Sequence, residues 1–314
     1  MKQQALATTA RGATDQAAAS ADRRSCLGGV RRLVVKIGSA VLTAADGLDF
    51  TVLDRLVEQI EQLRARGCEV LVVSSGAVAA GRRKLALGDR VLPLREKQAA
   101  AAIGQSSLMR AYEKSFENHG SKVAQVLLTH DVFSRRDRYL NARNTLFTLL
   151  QWQLVPIINE NDAVAVEELR FGDNDTLGGM VANLVEADLL ICLSDVDALY
   201  TADPDREPAA RPLRTVERID AAIEAMAGGV NNGVGTGGMQ SKLKAAKMVT
   251  SRGGAVLIGS GREVDILPRL LAGEELGSFF PPAPHRLPSR KHWIAHTLRP
   301  KGFLGAGCRG LPGH

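Results

Sequence analysis

From Arg32 onward, short apolar runs of β-branched character alternate with longer stretches in which apolar residues recur at helical spacing. Leu33-Val34-Val35-Lys36-Ile37, Val70-Leu71-Val72-Val73, Val123 to Leu128, Val155-Pro156-Ile157-Ile158, Leu189 to Leu193 and Ala255 to Ile258 predict strands. Between them the spacing predicts helices over 51–66, 76–87, 94–118, 138–151, 174–187 and 238–252. Strands that are apolar on both faces and separated by helices imply a mostly parallel sheet covered on both sides. The expected architecture is therefore α/β, a three-layer α/β/α sandwich over residues 32–284. Residues 1–31, rich in Ala, Thr, Ser, Gln and Gly, carry no apolar periodicity and are expected to form a disordered extension.

Composition narrows the class. In 314 residues, 45% hydrophobic and 24% charged, the balance is that of a soluble globular chain. Aromatics supply only 4%, so the core must be built from Ala, Val, Leu and Ile. No apolar run reaches the roughly 20 residues that span a bilayer, and no charged stretch followed by an apolar core opens the chain, so neither membrane nor secretory leader is expected. The four cysteines (Cys26, Cys68, Cys192, Cys308) stand apart from one another and from any histidine at ligand spacing. That usage suits a reducing cytoplasm and offers no protein-held metal site.

The basic pI of about 9.3 invites a nucleic-acid reading until the charge is located. Residues 1–32 hold six Lys/Arg against two Asp, and residues 285–314 hold six Lys/Arg and no acid. The stretch 33–284 has 28 basic and 32 acidic residues and is mildly acidic. The ends carry the basicity, so no specific nucleic-acid face is expected on the main domain.

In an open parallel sheet, ligands bind beyond the carboxyl ends of the strands. Those positions here are Lys36-Ile37-Gly38-Ser39, Ser74-Ser75-Gly76-Ala77, Asn159-Glu160-Asn161-Asp162 and Ser194-Asp195. Two segments place small residues before a helix, where backbone N–H groups and the helix dipole favour an anion: Ser74-Ser75-Gly76 and Gly235-Thr236-Gly237-Gly238-Met239-Gln240-Ser241-Lys242. The second lacks the Walker A spacing, and a glycine-rich loop before a helix is by itself more often a turn and cap. Phe171-Gly172-Asp173-Asn174-Asp175-Thr176 adds two carboxylates and an amide at a helix start, more than one cap requires. Phosphoryl transfer needs cations on the migrating group and anions to hold those cations. Lys36 and Lys242 could supply the first and Asp175 the second, although a strand-ending lysine is often only an exposed terminus.

In order along the chain, VVKIGSAVLT (34–43), VVSSGAVAAGR (72–82), VPIINENDAV (155–164), FGDNDTL (171–177), LSDVDALYTADP (193–204) and GVGTGGMQSK (233–242) resemble the successive motifs of the bacterial glutamate 5-kinases, members of the amino-acid kinase family. The first motif is shared with aspartokinases, acetylglutamate kinases, carbamate kinases and uridylate kinases; INEND followed by GDND and YTADP is more particular. The resemblance covers about four fifths of the chain, from Leu33 to Trp293. It implies MgATP-dependent phosphorylation of the γ-carboxylate of L-glutamate, the first step of proline biosynthesis. Lys36 and Lys242 would contact ATP phosphates and Asp175 would position them. Ser75, Gly76, Asn159, Asp162 and Asn174 would bind or border glutamate. Ser194, Asp195, Thr236, Gly237, Gly238, Met239, Gln240, Ser241 and Lys242 would line the nucleotide site. Mg²⁺ would sit between ATP phosphates, with no dedicated protein ligand. The family also implies homo-oligomers, feedback inhibition by proline, and a glutamyl-phosphate reductase as partner.

Departures are few. Ser194 stands where Thr is usual, Gln240-Ser241 falls in a variable part of its motif, and Gly178-Gly179 is expected to loosen the helix carrying Asp175. Arg290-Lys291-His292-Trp293-Ile294 marks the place where many members enter a PUA domain, and 285–314 reads as a linker and truncated remnant of it. Two alternatives stay open: a kinase for another acceptor, such as acetylglutamate or a nucleoside monophosphate, and an inactive or RNA-associated relic.

Overall fold

The computed structural model describes residues 23–44, 47–88, 90–165, 173–227 and 238–284. Within them lie nine strands: β1 (Arg32–Ile37), β2 (Thr43–Ala44), β3 (Gly47–Leu48), β4 (Glu69–Ser74), β5 (Val123–Leu128), β6 (Val155–Glu160), β7 (Leu189–Ser194), β8 (Ala255–Ser260) and β9 (Ser278–Phe280). Seven form one sheet in the order β5-β6-β4-β1-β7-β8-β9, and β2 pairs with β3 in a separate hairpin. Every neighbour in the large sheet runs parallel except β9, which is antiparallel to β8. The expected α/β/α sandwich is the one observed.

The sheet divides the core in two. Leu33, Val35 and Ile37 of β1 face Phe50–Ala65, Leu94–Glu117 and Ile266–Leu271 on one side. Val34, pointing oppositely as strand alternation requires, packs with residues of Arg136–Gln151, Asn174–Leu184 and Met239–Thr250. Both faces of β1 are thereby buried, as a parallel strand carrying crossover helices on each side should be. Among the described residues no helix is long and apolar enough to cross a membrane.

Predicted and observed boundaries differ by a few residues at helix ends, where caps decide. Asp49 accepts from the Val52 backbone N–H and starts its helix at Phe50, and Asp173 does the same for Thr176. The short elements β2, β3, His130–Ser134, Ala221–Met226, Ile266–Leu271 and β9 had no periodic signal, being too brief to establish one.

The N-terminal expectation needs correction. Residues 23–28 are helical and packed. Leu27 is in the core, Arg23 is buried with Nη2 donating to the Leu276 carbonyl at 2.6 Å, and its guanidinium lies 5.6 Å from the Phe279 ring centre. The folded part therefore begins before Arg32, because one aliphatic anchor and one arginine stem suffice to dock a short helix without repeating periodicity. Residues 1–22, and the 285–314 segment read as a domain remnant, lie outside the described residues.

Candidate active site

Lys36 shares its strand face with Val34, so its side chain enters the layer formed by helices Asn174–Leu184 and Met239–Thr250. There its Nζ meets Asp175 Oδ1 at 2.5 Å. Lys242 Nζ lies 3.2 Å from Asp175 Oδ2, and the Ser241 hydroxyl donates to that same oxygen at 2.6 Å. Lys36, Asp175 and Lys242 are 5%, 0% and 3% exposed, so these charges have given up water and depend on one another. Burial by itself pushes Asp175 towards protonation, but Lys36 and Lys242 outweigh it and hold the carboxyl below its ordinary value. For Lys36, burial favours the neutral amine, and Asp175 more than compensates, leaving the ammonium more firmly protonated than usual. One fully buried carboxylate thereby holds both ammonium groups at the sheet edge, with Asp173 a second acidic group acting on Lys36.

Helix position sharpens the contrast between the partners. Asp175 sits in the first turn of its helix, where negative charge is favoured. Lys242 sits near the start of Met239–Thr250, where positive charge is disfavoured by the helix dipole. A lysine there is held by the Asp175 oxygen that Ser241 also contacts, not by its helix.

Gly178 and Gly179 sit where the Asp175 helix packs closely on its neighbours. A Cβ on Gly178 would lie 3.3 Å from Lys36 Cβ, and one on Gly179 would lie 3.2 Å from the Cα of Ala245. Missing side chains let the Asp175 helix press against the Lys36 stem and against the Lys242 helix. Whatever the glycines cost the helix, this close packing brings all three charges together.

Beside this cluster runs a chain of amides and hydroxyls. Asn174 Nδ2 donates to Ser75 Oγ at 2.8 Å, to Asn159 Oδ1 at 2.9 Å and to the Ser74 carbonyl at 3.1 Å. Asn159 Nδ2 donates to Gln105 Oε1 at 3.0 Å. Behind Ser75, the Ser74 hydroxyl bonds the Tyr112 hydroxyl at 2.9 Å, and burial raises the Tyr112 pKa well out of the physiological range. Gly76, at φ +102°, makes the left-handed turn that sends the chain from β4 into helix Ala77–Lys84.

A protein-family model described as the amino acid kinase family matches residues 31–260. The chain belongs to the amino acid kinase family. It is 55% identical over 293 residues to the glutamate 5-kinase of Desulfotalea psychrophila, covering 92% of this chain and 78% of that protein. Identity is 51% over 282 residues to the glutamate 5-kinase of Syntrophotalea carbinolica, covering 90% and 76%. Among solved structures, the UMP kinase from Bacillus anthracis superposes with a TM-score of 0.54 at 16% identity, covering 80% of this chain and 96% of that one. At that identity the likeness concerns the fold alone.

In this member of the amino acid kinase family, most of the residues singled out in the sequence converge on one edge of the sheet. Lys36, Asp175, Ser241 and Lys242 are joined through the carboxylate, and Ser75, Asn159 and Asn174 through the amide chain. Asp162 is half-buried in the turn after β6, and Ser194 ends β7 with its hydroxyl 3.3 Å from the Val196 carbonyl. Gly38, at the end of β1, donates to the Leu193 carbonyl at 2.9 Å and so borders Ser194. Asp195, Gly238 and Gln240 are exposed and Met239 is half-buried. Thr236 and Gly237, like Phe171 and Gly172, lie outside the described residues. Ser241 has its hydroxyl on Asp175.

Sequence reasoning missed Gln105 and Tyr112, and the structure gives Asp173, one of the two carboxylates it noted, the capping role at Thr176. Asp173 is held above its ordinary pKa, first by burial and then by Asp175. Gln105 did leave a trace: it interrupts the apolar stripe Ala101, Leu108, Tyr112 on its helix, where a polar residue calls for a partner.

Proposed function

We propose that this chain transfers the γ-phosphoryl group of ATP to the side-chain carboxylate of L-glutamate, giving L-glutamyl 5-phosphate for proline biosynthesis. The buried Lys36–Asp175–Lys242 cluster is the observation that carries this reading. A carboxylate acceptor arrives ionised and needs no general base; the task is to bring two anions together in line and neutralise them. Lys36 and Lys242 would meet the phosphoryl oxygens in flight, and Asp175 would keep both ammonium groups in place. The donors at Ser75 and the amides of Asn159 and Asn174, with Gly76 and Asp162 alongside, would hold glutamate. ATP would lie along Ser194, Asp195 and the stretch from Thr236 to Lys242.

Magnesium fits this site as an ion carried in by the nucleotide. Both oxygens of Asp175 are occupied by Lys36, Lys242 and Ser241. Among the described residues no group of three or more His, Cys, Asp or Glu is arranged to hold a metal. ATP phosphates and water would supply most ligands, as is usual for Mg²⁺, and Asp173 is the carboxylate beside Lys36 able to orient that shell. The bound ion would draw charge from the β- and γ-phosphates.

A glutamate kinase of this family is expected to be a homo-oligomer, to be inhibited by proline, and to pass its labile product to a glutamyl-phosphate reductase. Cys26, Cys68 and Cys192 form no disulfide among the described residues, which suits a cytoplasmic setting. The test is acceptor choice: ADP release measured with L-glutamate, N-acetyl-L-glutamate, L-aspartate and UMP in parallel. Release that depends on L-glutamate is the expected result, and preference for another acceptor would replace this function.

A further inference from the structure

Gln105 is buried in helix Leu94–Glu117, and its side-chain oxygen accepts from Asn159 Nδ2 at 3.0 Å. Asn159 Oδ1 in turn accepts from Asn174 Nδ2 at 2.9 Å, and that amino group also faces the Ser74 carbonyl at 3.1 Å. A backbone carbonyl can only accept, which fixes the amino end of Asn174 towards β4 and turns its oxygen away. Asn159 must then offer its own oxygen to Asn174 and its amino group to Gln105. Gln105 must answer with its carbonyl. The polarity of three amides is thus set from Ser74 to Gln105 with no freedom to reverse one member.

The far end of this chain carries a cost. Gln105 Nε2 is shut off from solvent without a hydrogen-bond partner among the described residues. An unsatisfied buried amide is destabilising, and leucine or methionine would fill the same place on the apolar stripe without that cost. The glutamine is explained by its oxygen.

We propose that Gln105 is a positioning residue of the acceptor site. Its carbonyl anchors the far end of the Asn159 amide, and Asn159 together with the Ser74 carbonyl holds Asn174 with its oxygen directed to accept from the ammonium group of an amino-acid substrate. Without that acceptor Asn159 is held through Asn174 alone and can swing out of place, which loosens Asn174 and misdirects the ammonium contact. This assignment rests on the glutamate reading of the site, and Gln105 acts through two side chains without touching the reacting atoms.

Gln105→Met, close in volume but unable to accept, is expected to raise KM for L-glutamate by about tenfold, the worth of one hydrogen bond in a desolvated site. KM for MgATP and kcat should stay within about twofold. Gln105→Glu keeps an acceptor in the same position and is expected to restore KM. Equal rises in both KM values, or a Glu variant as impaired as Met, would show a packing role and overturn the proposal. Should Gln105→Met be too unstable to assay, Gln105→Glu decides alone: a near wild-type glutamate KM supports the relay, and a raised one at unchanged Tm overturns it. A wild-type protein that turns over another acceptor defeats the functional reading, not the relay. The relay is read separately by NMR: the Asn174 side-chain amide protons should exchange slowly in wild type and in the Glu variant, and fast in the Met variant. Equal exchange in all three would dismiss it.

Discussion

The Lys36 ammonium sits 2.5 Å from Asp175 Oδ1, a strand residue and a helix residue brought together where both are closed off from solvent. The pair is completed by Lys242 on a second helix, so one carboxylate fixes two cations at a sheet edge. On the proposed function, this relationship would present two fixed cations to a migrating phosphoryl group.

Asp175→Asn keeps the shape and removes the charge. Two buried ammonium groups then lose the carboxylate they share, and breaking a buried pair in this way costs about 3–5 kcal/mol. Urea unfolding is expected to show that loss with m unchanged. A variant as stable as wild type would mean that water reaches the lysines.

Lys242→Ala removes a cation that, in the proposed reaction, would act mainly when charge moves onto the phosphoryl oxygens. The expected effect is a fall in kcat of about 10²–10³, the scale of losing one electrostatic contact to a transition state. KM for L-glutamate should change little. Steady-state kinetics varying each substrate will check this, and a change confined to KM for ATP would reduce Lys242 to a binding role.

The cluster also sets a pH window. Asp175 is depressed below its ordinary value of 3.8, so its contribution to stability is present above that value and is lost as pH falls through the lower folded value. Lys36 is raised above 10.5, so its contribution is present below 10.5 and is lost as pH rises through the higher folded value. The stability gap between wild type and Asp175→Asn should therefore shrink in acid below the ordinary carboxylate value, and also on the alkaline side, where burial without Asp175 lets the Lys36 of the variant lose its proton below 10.5. Denaturant titrations over a pH series will measure it; a gap that persists unchanged in acid would contradict the assignment.

Two glycine contacts separate stability from activity. A Cβ on Gly104 would overlap the carbonyl oxygen of Ala77, where helices Ala77–Lys84 and Leu94–Glu117 touch backbone to backbone. Gly104→Ala is expected to destabilise by about 3 kcal/mol or more, since no flexible side chain can yield there. At Gly179 the contact with Ala245 Cα is 3.2 Å, and overpacking of about 1–3 kcal/mol is partly offset by the roughly 1 kcal/mol that alanine adds to a helix. Gly179→Ala should therefore lose activity, through displacement of Lys242, more than it loses Tm. Thermal melts run beside kinetic assays distinguish the two.

Much of this site was legible because parallel strands bury both faces and announce themselves as apolar runs, so their polar ends stand out. Lys36, Ser75, Asn159 and Ser194 were found that way. Asp173, Asn174 and Asp175 were visible as two carboxylates and an amide, in excess of what one cap needs. Gln105 and Tyr112 were not, since both sit within a helix whose pattern is otherwise apolar and their partners lie on distant strands. The short N-terminal helix escaped for a related reason: its docking rests on Arg23 and Leu27, two contacts with no period. For Gly178 and Gly179 only half was legible: propensity describes a helix alone, whereas the close packing shows in what an added Cβ would meet within 3.3 Å.

The most direct test traps the product. Purified protein with MgATP, L-glutamate and hydroxylamine should yield γ-glutamyl hydroxamate and ADP in equal amounts, with both lost in Lys242→Ala. Hydroxamate formed equally well from N-acetyl-L-glutamate, or ADP released without any hydroxamate, would contradict a glutamate kinase built on Lys36, Asp175 and Lys242.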